Sequence, residues 1–435
     1  MSVIEIFGRE VHGYMVETYA DIEKVSEDIR EGEVSPLEIV DECLARIKAL
    51  DPKLNAFITV MAEEASKEAL SAGAEVESGN WRGPLHGIPV GIKDFYDTAG
   101  VKTTAAFEHF GERVPVKDAA VVSRLKEAGA VVIGKTNMHT MGMGTTGLDS
   151  HFGAAINPWN AGYIPGGSSS GSAVAVASGM CYATVDTDAI GSCRLPAACC
   201  GVVGFKGTYG LIDASGILDG EGGADEMILW FNHAGITTRS ILDTALLLDV
   251  LAERTGPGTQ SYFDGLASDG SLRVGVGENI SADPEVMAAF EEAVEVIRDL
   301  DYTVGEATIP FGDPGAGLDA IEEDRGTIAD LVFGDFDVLI LPTAPTTVPK
   351  VQEADGNPQT LSPEQTAFAN YYGLPAVSVP CGFDASGLPI GLQMVARPWG
   401  EVSVLDLASQ YQRATPWHKE HPDLQNEFRV REPKR

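Results

Sequence analysis

From position 87 onward the chain alternates short apolar runs with longer helical stretches, and this alternation restricts its fold more than any other feature. The runs at 88–92, 130–133, 182–186, 202–205, 272–276, 338–341, 376–379 and 390–395 read as strands. Residues 118–128, 169–178, 241–252, 284–300 and 402–414 read as helices, the first of them capped. Strands separated in this way by helices pair into a sheet covered on both faces, so an α/β sandwich is expected. Upstream, residues 15–80 read as helical. There Ser35-Pro36-Leu37-Glu38 forms a capping box, with proline at the first helical position, and opens an amphipathic run through Ile47. A second helix is expected at 62–74. The turn-rich segments 312–317 and 353–362 read as surface loops rather than linkers. One domain is therefore expected over 1–435, with N-terminal helices at 15–80, a core at 81–240 and a remainder that completes the sheet and its helical layers.

Charge narrows the partners. Asp and Glu number 64 against 30 Lys and Arg, a net charge of −34, spread from Glu5 to Glu432. Such a surface repels phosphate backbones and acidic lipid, so neither nucleic acid nor membrane is expected as a direct partner. A dispersed acidic coat on a chain that is 44% hydrophobic points to adaptation to high salt. At ~1 M ionic strength the Debye length is about 3 Å, short enough to screen the self-repulsion. The charged N-terminal stretch has no apolar h-region and no run approaches a membrane span, so the cytoplasm is the expected location. Cys43, Cys181, Cys193, Cys199, Cys200 and Cys381 form no CxxC pair and read as buried free thiols. The histidines show no ligand spacing, and neither a metal nor another cofactor is expected.

Between Pro165 and Arg194 lie two loops of small residues, Gly166-Gly167-Ser168-Ser169-Ser170-Gly171-Ser172 and Asp188-Ala189-Ile190-Gly191-Ser192. Glycine lets backbone N–H groups approach a ligand, and a serine there has a nucleophilic hydroxyl beside an anion-binding backbone, as acyl transfer needs. No GxSxG elbow and no adjoining histidine supplies a base. Lys93 does, at the end of the strand at 88–92, where burial can strip its proton. To be half-neutral at pH 7, an amine with a reference pKa of about 10.4 must lose roughly 4.6 kcal/mol of preference for its charged form. That also requires that no ionised carboxylate pair with it, so Asp94 must point elsewhere, as strand alternation permits.

These residues resemble the amidase signature family, serine hydrolases with a Ser–cisSer–Lys triad. The first loop is similar to that family's GGSSxGS segment, and Thr187-Asp188-Ala189-Ile190-Gly191-Ser192-Cys193-Arg194 to its TDxGGSxR segment. The lysine strand at 87–100, the segment Gly134-Lys135-Thr136-Asn137-Met138, and the stretches 197–209, 337–345 and 373–398 extend the likeness over most of the chain. The resemblance implies the amidase-signature fold, a large twisted mixed β-sheet flanked by helices on both faces. It implies hydrolysis of a small carboxamide to carboxylate and ammonia or amine, with Ser192 as nucleophile. Ser168, after a cis peptide bond, would relay protons to Lys93 as general base. N–H groups of Ala189, Ile190, Gly191 and Ser192 would form the oxyanion hole, Gly142 would line the acyl pocket, and Asp188 and Arg194 would brace the loop. Ile190 departs from the pattern, which has glycine there, as do Ala189, Thr140 and Lys206-Gly207-Thr208. Pocket walls are expected from the variable regions 212–233 and 312–334. A homodimer is the assembly such an enzyme would adopt, if it assembles at all. Two alternatives stand beside the free-standing amidase. One is the glutaminase subunit of a tRNA-dependent amidotransferase, against which Phe231-Asn232-His233-Ala234-Gly235-Ile236 replaces an SxDQxGP segment. The other is a non-catalytic protein that uses the same cleft for binding.

Overall fold

The computed structural model describes residues 10–11, 14–15, 17–221, 230–253, 261–267, 271–311 and 318–424. A short antiparallel hairpin pairs β1 (Glu10–Val11) with β2 (Tyr14–Met15). The other strands described are β3 (Phe57–Val60), β4 (Pro89–Lys93), β5 (Val131–Thr136), β6 (Ala183–Asp188), β7 (Val203–Lys206), β8 (His233–Thr238), β9 (Arg273–Gly277), β10 (Thr303–Ala307), β11 (Val338–Pro342), β12 (Ala376–Phe383) and β13 (Pro389–Ala396). They form one 11-stranded sheet in the order β10-β9-β11-β13-β12-β7-β8-β6-β4-β5-β3. The sheet is mixed: β4 runs parallel to both β5 and β6, whereas β8 is antiparallel to β6 and β7. Helices cover both faces. They are α1 (Ile22–Glu31), α2 (Pro36–Leu54), α3 (Ala62–Glu77), α4 (Ala120–Glu127), α5 (Ser170–Ala177), α6 (Arg194–Cys200), α7 (Ile241–Leu251), α8 (Pro284–Asp299), α9 (Leu318–Val332), α10 (Glu364–Tyr371) and α11 (Glu401–Ala414).

Because helices cover both faces, every residue of β4, β5, β6, β7, β8 and β13 is buried. This is why β4, β5, β7 and β13 read as near-continuous apolar or small-residue runs and not as alternating ones. The capping box at α2 forms as expected: Ser35 N–H donates to Glu38 Oε2 at 2.8 Å and Glu38 N–H to Ser35 Oγ at 3.2 Å. α5 is built of small residues for a different reason. A Cβ on Gly171 would stand 2.2 Å from Ala56 O and 2.5 Å from Asn137 N, so the first turn of the helix lies directly on backbone.

Two expectations are corrected. The region 15–80 is not helical throughout, because β3 interrupts it and pairs with β5. Asp118 does not cap α4: Ala119 occupies that position without a side-chain cap, while the Asp118 carboxylate accepts from Ala99 N–H and Lys126. His233, the last residue of the variable region 212–233, opens β8, a strand for which the sequence gives no expectation. The loop expected at 312–317 lies outside the described residues.

The topology also places the site. Parallel strands β4, β5 and β6 end at one edge of the sheet, so Lys93, Thr136 and Asp188 emerge together. The turn into α5 brings Ser168 to that same edge, where crevices form beyond strand carboxyl ends.

Candidate active site

Lys93, Ser168 and Ser192 come together although 99 positions separate the first from the last. Lys93 Nζ donates to Ser168 Oγ at 2.8 Å and to Thr187 Oγ1 at 2.8 Å. Its side chain is fully buried. The Gly167–Ser168 peptide bond is cis. Ser169 N–H donates to Ser192 O at 3.0 Å, which ties the two serine loops to each other. Ser192 is 5% exposed, and its hydroxyl has no hydrogen-bond partner among the described residues.

Burial lowers the Lys93 pKa to about 8, against the opposing pull of Asp186 first, then Cys193 and Asp188. Asp94 does point away, as the amine requires: it pairs with Lys135 at 3.3 Å and accepts from Thr104 N–H at 2.9 Å. The lysine nonetheless keeps its proton up to a higher pH than burial alone allows, because Asp186 lies beside it.

The second loop is held from beneath. Asp188 Oδ1 accepts from Gly191 N–H at 2.8 Å, and Oδ2 from Cys193 N–H at 3.2 Å. Burial works against this carboxylate's charge, but the Arg194 guanidinium, 2.9 Å away, holds its pKa below the usual carboxylate range. Arg194 reaches on to Thr366 O at 3.1 Å and Asn370 Oδ1 at 2.6 Å, so Asp188 and Arg194 are braces. Thr366 Oγ1 donates to Ile190 O at 2.6 Å, and Asn370 Nδ2 to Asp188 O at 2.8 Å. Gly191 has φ +125°, and a Cβ there would stand 2.3 Å from Thr366 Oγ1. Ile190 is not among the residues of positive φ, so the departure from glycine costs the backbone nothing. Its side chain and that of Ala189 are half-buried.

With Gly191 N–H committed to Asp188, the loop N–H groups that donate to no acceptor among the described residues are those of Ala189, Ile190 and Ser192. Gly142 lies over Ser168 with φ +72°; a Cβ on it would lie 3.7 Å from Ser168 Oγ and 3.4 Å from the Phe95 ring. Thr140 donates to Ala106 O at 3.0 Å, which fastens this overhang to the loop after β4. A cavity of about 410 Å³ opens at the same sheet edge, lined by residues that include Tyr209, Asp213, Asn232, His233 and Glu253. Four residues of the site carried no signal that singled them out in the sequence: Thr187, Asp186, Thr366 and Asn370. Thr187 sits inside the quoted motif, and Asp186 is a lone carboxylate in a buried strand. The other two belong to α10, which has no local signature.

The family model "Amidase" matches residues 38–315 and 320–405. The chain belongs to the amidase family. Amidase-family relatives include a glutamyl-tRNA(Gln) amidotransferase chain of Geobacter metallireducens, 35% identical over 91% of this chain and 97% of the relative. Another is the corresponding chain from Roseiflexus sp., 34% identical over 92% of this chain and 97% of its own length. Among solved structures, a 6-aminohexanoate cyclic dimer hydrolase in complex with its substrate superposes with a TM-score of 0.81, 29% identity, and coverage of 94% of this chain and all of that one. The peptide amidase from Stenotrophomonas maltophilia gives a TM-score of 0.77 at 26% identity, covering 91% of this chain and 97% of its own. The fold is thus that of amidase-signature enzymes, and the chain is a hydrolase of amide C–N bonds.

Proposed function

We propose that this amidase works alone on a small carboxamide through an acyl-enzyme at Ser192, with Ser168 as relay and Lys93 as base. The observation that carries this reading is the 2.8 Å bond between a fully buried Lys93 and Ser168 Oγ. A buried amine can serve as base near neutral pH, and a hydroxyl bonded to it can pass protons to and from the nucleophile. In acylation the Ser192 oxygen bonds to the amide carbon, and the carbonyl electron pair moves onto oxygen. The Ser192 proton passes to Ser168 Oγ while the proton of Ser168 passes to Lys93. The N–H groups of Ala189, Ile190 and Ser192 receive the oxyanion, one such donor being worth ~3 kcal/mol in comparable sites. Collapse breaks the C–N bond, and Lys93 returns its proton through Ser168 to the departing nitrogen. Water then repeats the sequence on the acyl-enzyme, releasing the carboxylate. Gly142 and the half-buried Ala189 and Ile190 border the acyl group, and the whole chain acts as one catalytic unit in a salt-rich cytoplasm.

The test uses the purified chain at high salt. A fluorophosphonate probe should label Ser192, and simple aliphatic or aromatic amides should be turned over. Lys93→Ala and Ser192→Ala should lose nearly all turnover and Ser168→Ala somewhat less; wild-type rates in Ser192→Ala would end the proposal. The likeness to the glutamyl-tRNA(Gln) amidotransferase chain, 35% over 91% of this one, supports a second reading in which the protein acts only beside partner chains. Probe labelling without turnover of free amides, with activity gained on adding partner chains, would favour it.

A further inference from the structure

Asp186 and Asp188 are the carboxylates that act on Lys93, Asp94 points away from it, and Asp94 and Asp188 each have a cation of their own. Asp94 pairs with Lys135 at 3.3 Å and Asp188 with Arg194 at 2.9 Å. Asp186 has no ion pair within 4.0 Å among the described residues. The β4–β6 ladder sets Ile92 against Val185, so its next step brings Lys93 alongside Asp186. Asp186 is fully buried, yet its surroundings are built for a charge. Oδ2 accepts from Thr184 Oγ1 at 2.8 Å and from Thr237 Oγ1 at 2.7 Å, and the Ser172 hydroxyl of α5 also favours the charged form. Oδ1 has no hydrogen-bond partner among the described residues.

The other titratable groups facing this pair are silent. The thiols of Cys193 and Cys181 and the phenol of Tyr96 are pushed up by burial and stay neutral, and burial lowers His139. Burial raises Asp186 itself, and the charge that opposes this most is Lys93. Reciprocally, Asp186 opposes the burial of Lys93 more than any other group does.

We propose that Asp186 is a positioning residue that sets the proton affinity of the catalytic lysine and offsets the ammonium charge formed during acylation. It touches neither substrate nor nucleophile and transfers no proton. When Lys93 takes the relayed proton, the new ammonium faces an unneutralised carboxylate across the ladder. The arrangement raises the pH at which the lysine becomes a base and stabilises it once protonated. A carboxylate held beside a cation in this way shifts the pKa of its partner by about one unit or more.

This inference rests on Lys93 being the base, and the experiment separates the two. The readout is the rate of Ser192 labelling by a fluorophosphonate probe as a function of pH, which needs no knowledge of the natural amide. Wild-type labelling should rise through an inflection near pH 8, following the lysine. In Asp186→Asn the inflection should move down by about one unit or more, and the plateau rate should fall. A profile that superposes on wild type, while Lys93→Ala is unlabelled, overturns the role of Asp186 and leaves the base assignment standing. Labelling of Lys93→Ala at the wild-type rate overturns both. If Asp186→Asn does not melt cooperatively, Thr237→Val removes one donor to the carboxylate, weakens its charge and must move the inflection the same way by a smaller amount. An unmoved inflection in that variant sinks the proposal.

Discussion

Gly191 shows how little freedom the loop at 188–192 has. Its N–H is held by Asp188, its φ is +125°, and a Cβ would meet Thr366 Oγ1 at 2.3 Å. Gly191→Ala should therefore abolish probe labelling while the protein still melts cooperatively, because the strain falls on a loop at the edge of the sheet and not on its centre. Labelling at the wild-type rate would show that the loop has another route to its conformation. Lys93, Ser168 and Ser192, the residues proposed to react, stand out in the sequence because each sits in a short run of distinctive residue types. Asp186 was not, since a carboxylate inside a strand carries no local sign of facing Lys93 across the ladder. Thr366 and Asn370 were invisible for a similar reason: they act from α10, more than 170 positions beyond the loop they hold.

The strands and helices that carry the site were largely readable from apolar period and caps. β4, β6 and α5 lie within a residue or two of their expected bounds. β8 was missed because its sequence, HAGITT, is neither apolar nor alternating, and only burial between β6 and β7 makes it a strand. α4 formed without the cap expected of Asp118, which the neighbouring turn at Ala99 claims instead. α5 gives this scale its prediction. Gly171→Ala forces a methyl group against Ala56 O and the Asn137 backbone, and overpacking of this kind costs about 1–3 kcal/mol. Chemical denaturation should show a lower midpoint with an unchanged slope, and because α5 follows directly from Ser168, labelling should slow as well.

For the molecule as a whole, the net charge of −34 is the dominant fact. Carboxylates far outnumber the cations that could neutralise them, so the folded state repels itself in dilute buffer. We propose that salt stabilises it: the melting temperature should rise between roughly 0.1 and 3 M KCl as the Debye length shrinks from about 10 Å to below 3 Å. A melting temperature independent of salt would remove the case for halophilic adaptation. Among the described residues, no helix is long and apolar enough to cross a membrane.

By itself the sequence determined the α/β character and the family, and it singled out the three residues proposed to react. Hydrophobic period and short motifs are local properties, and local properties survive in one dimension. Tertiary structure alone decided the order of the 11 strands, the capture of Gly191 N–H by Asp188 and the company of Lys93. Each of these depends on which strand ends meet at one edge of the sheet, a matter of packing between segments far apart in the chain. It also decided that Asp94 and Asp188 are spoken for by Lys135 and Arg194, while Asp186, on the strand beside Lys93, has no ion pair among the described residues.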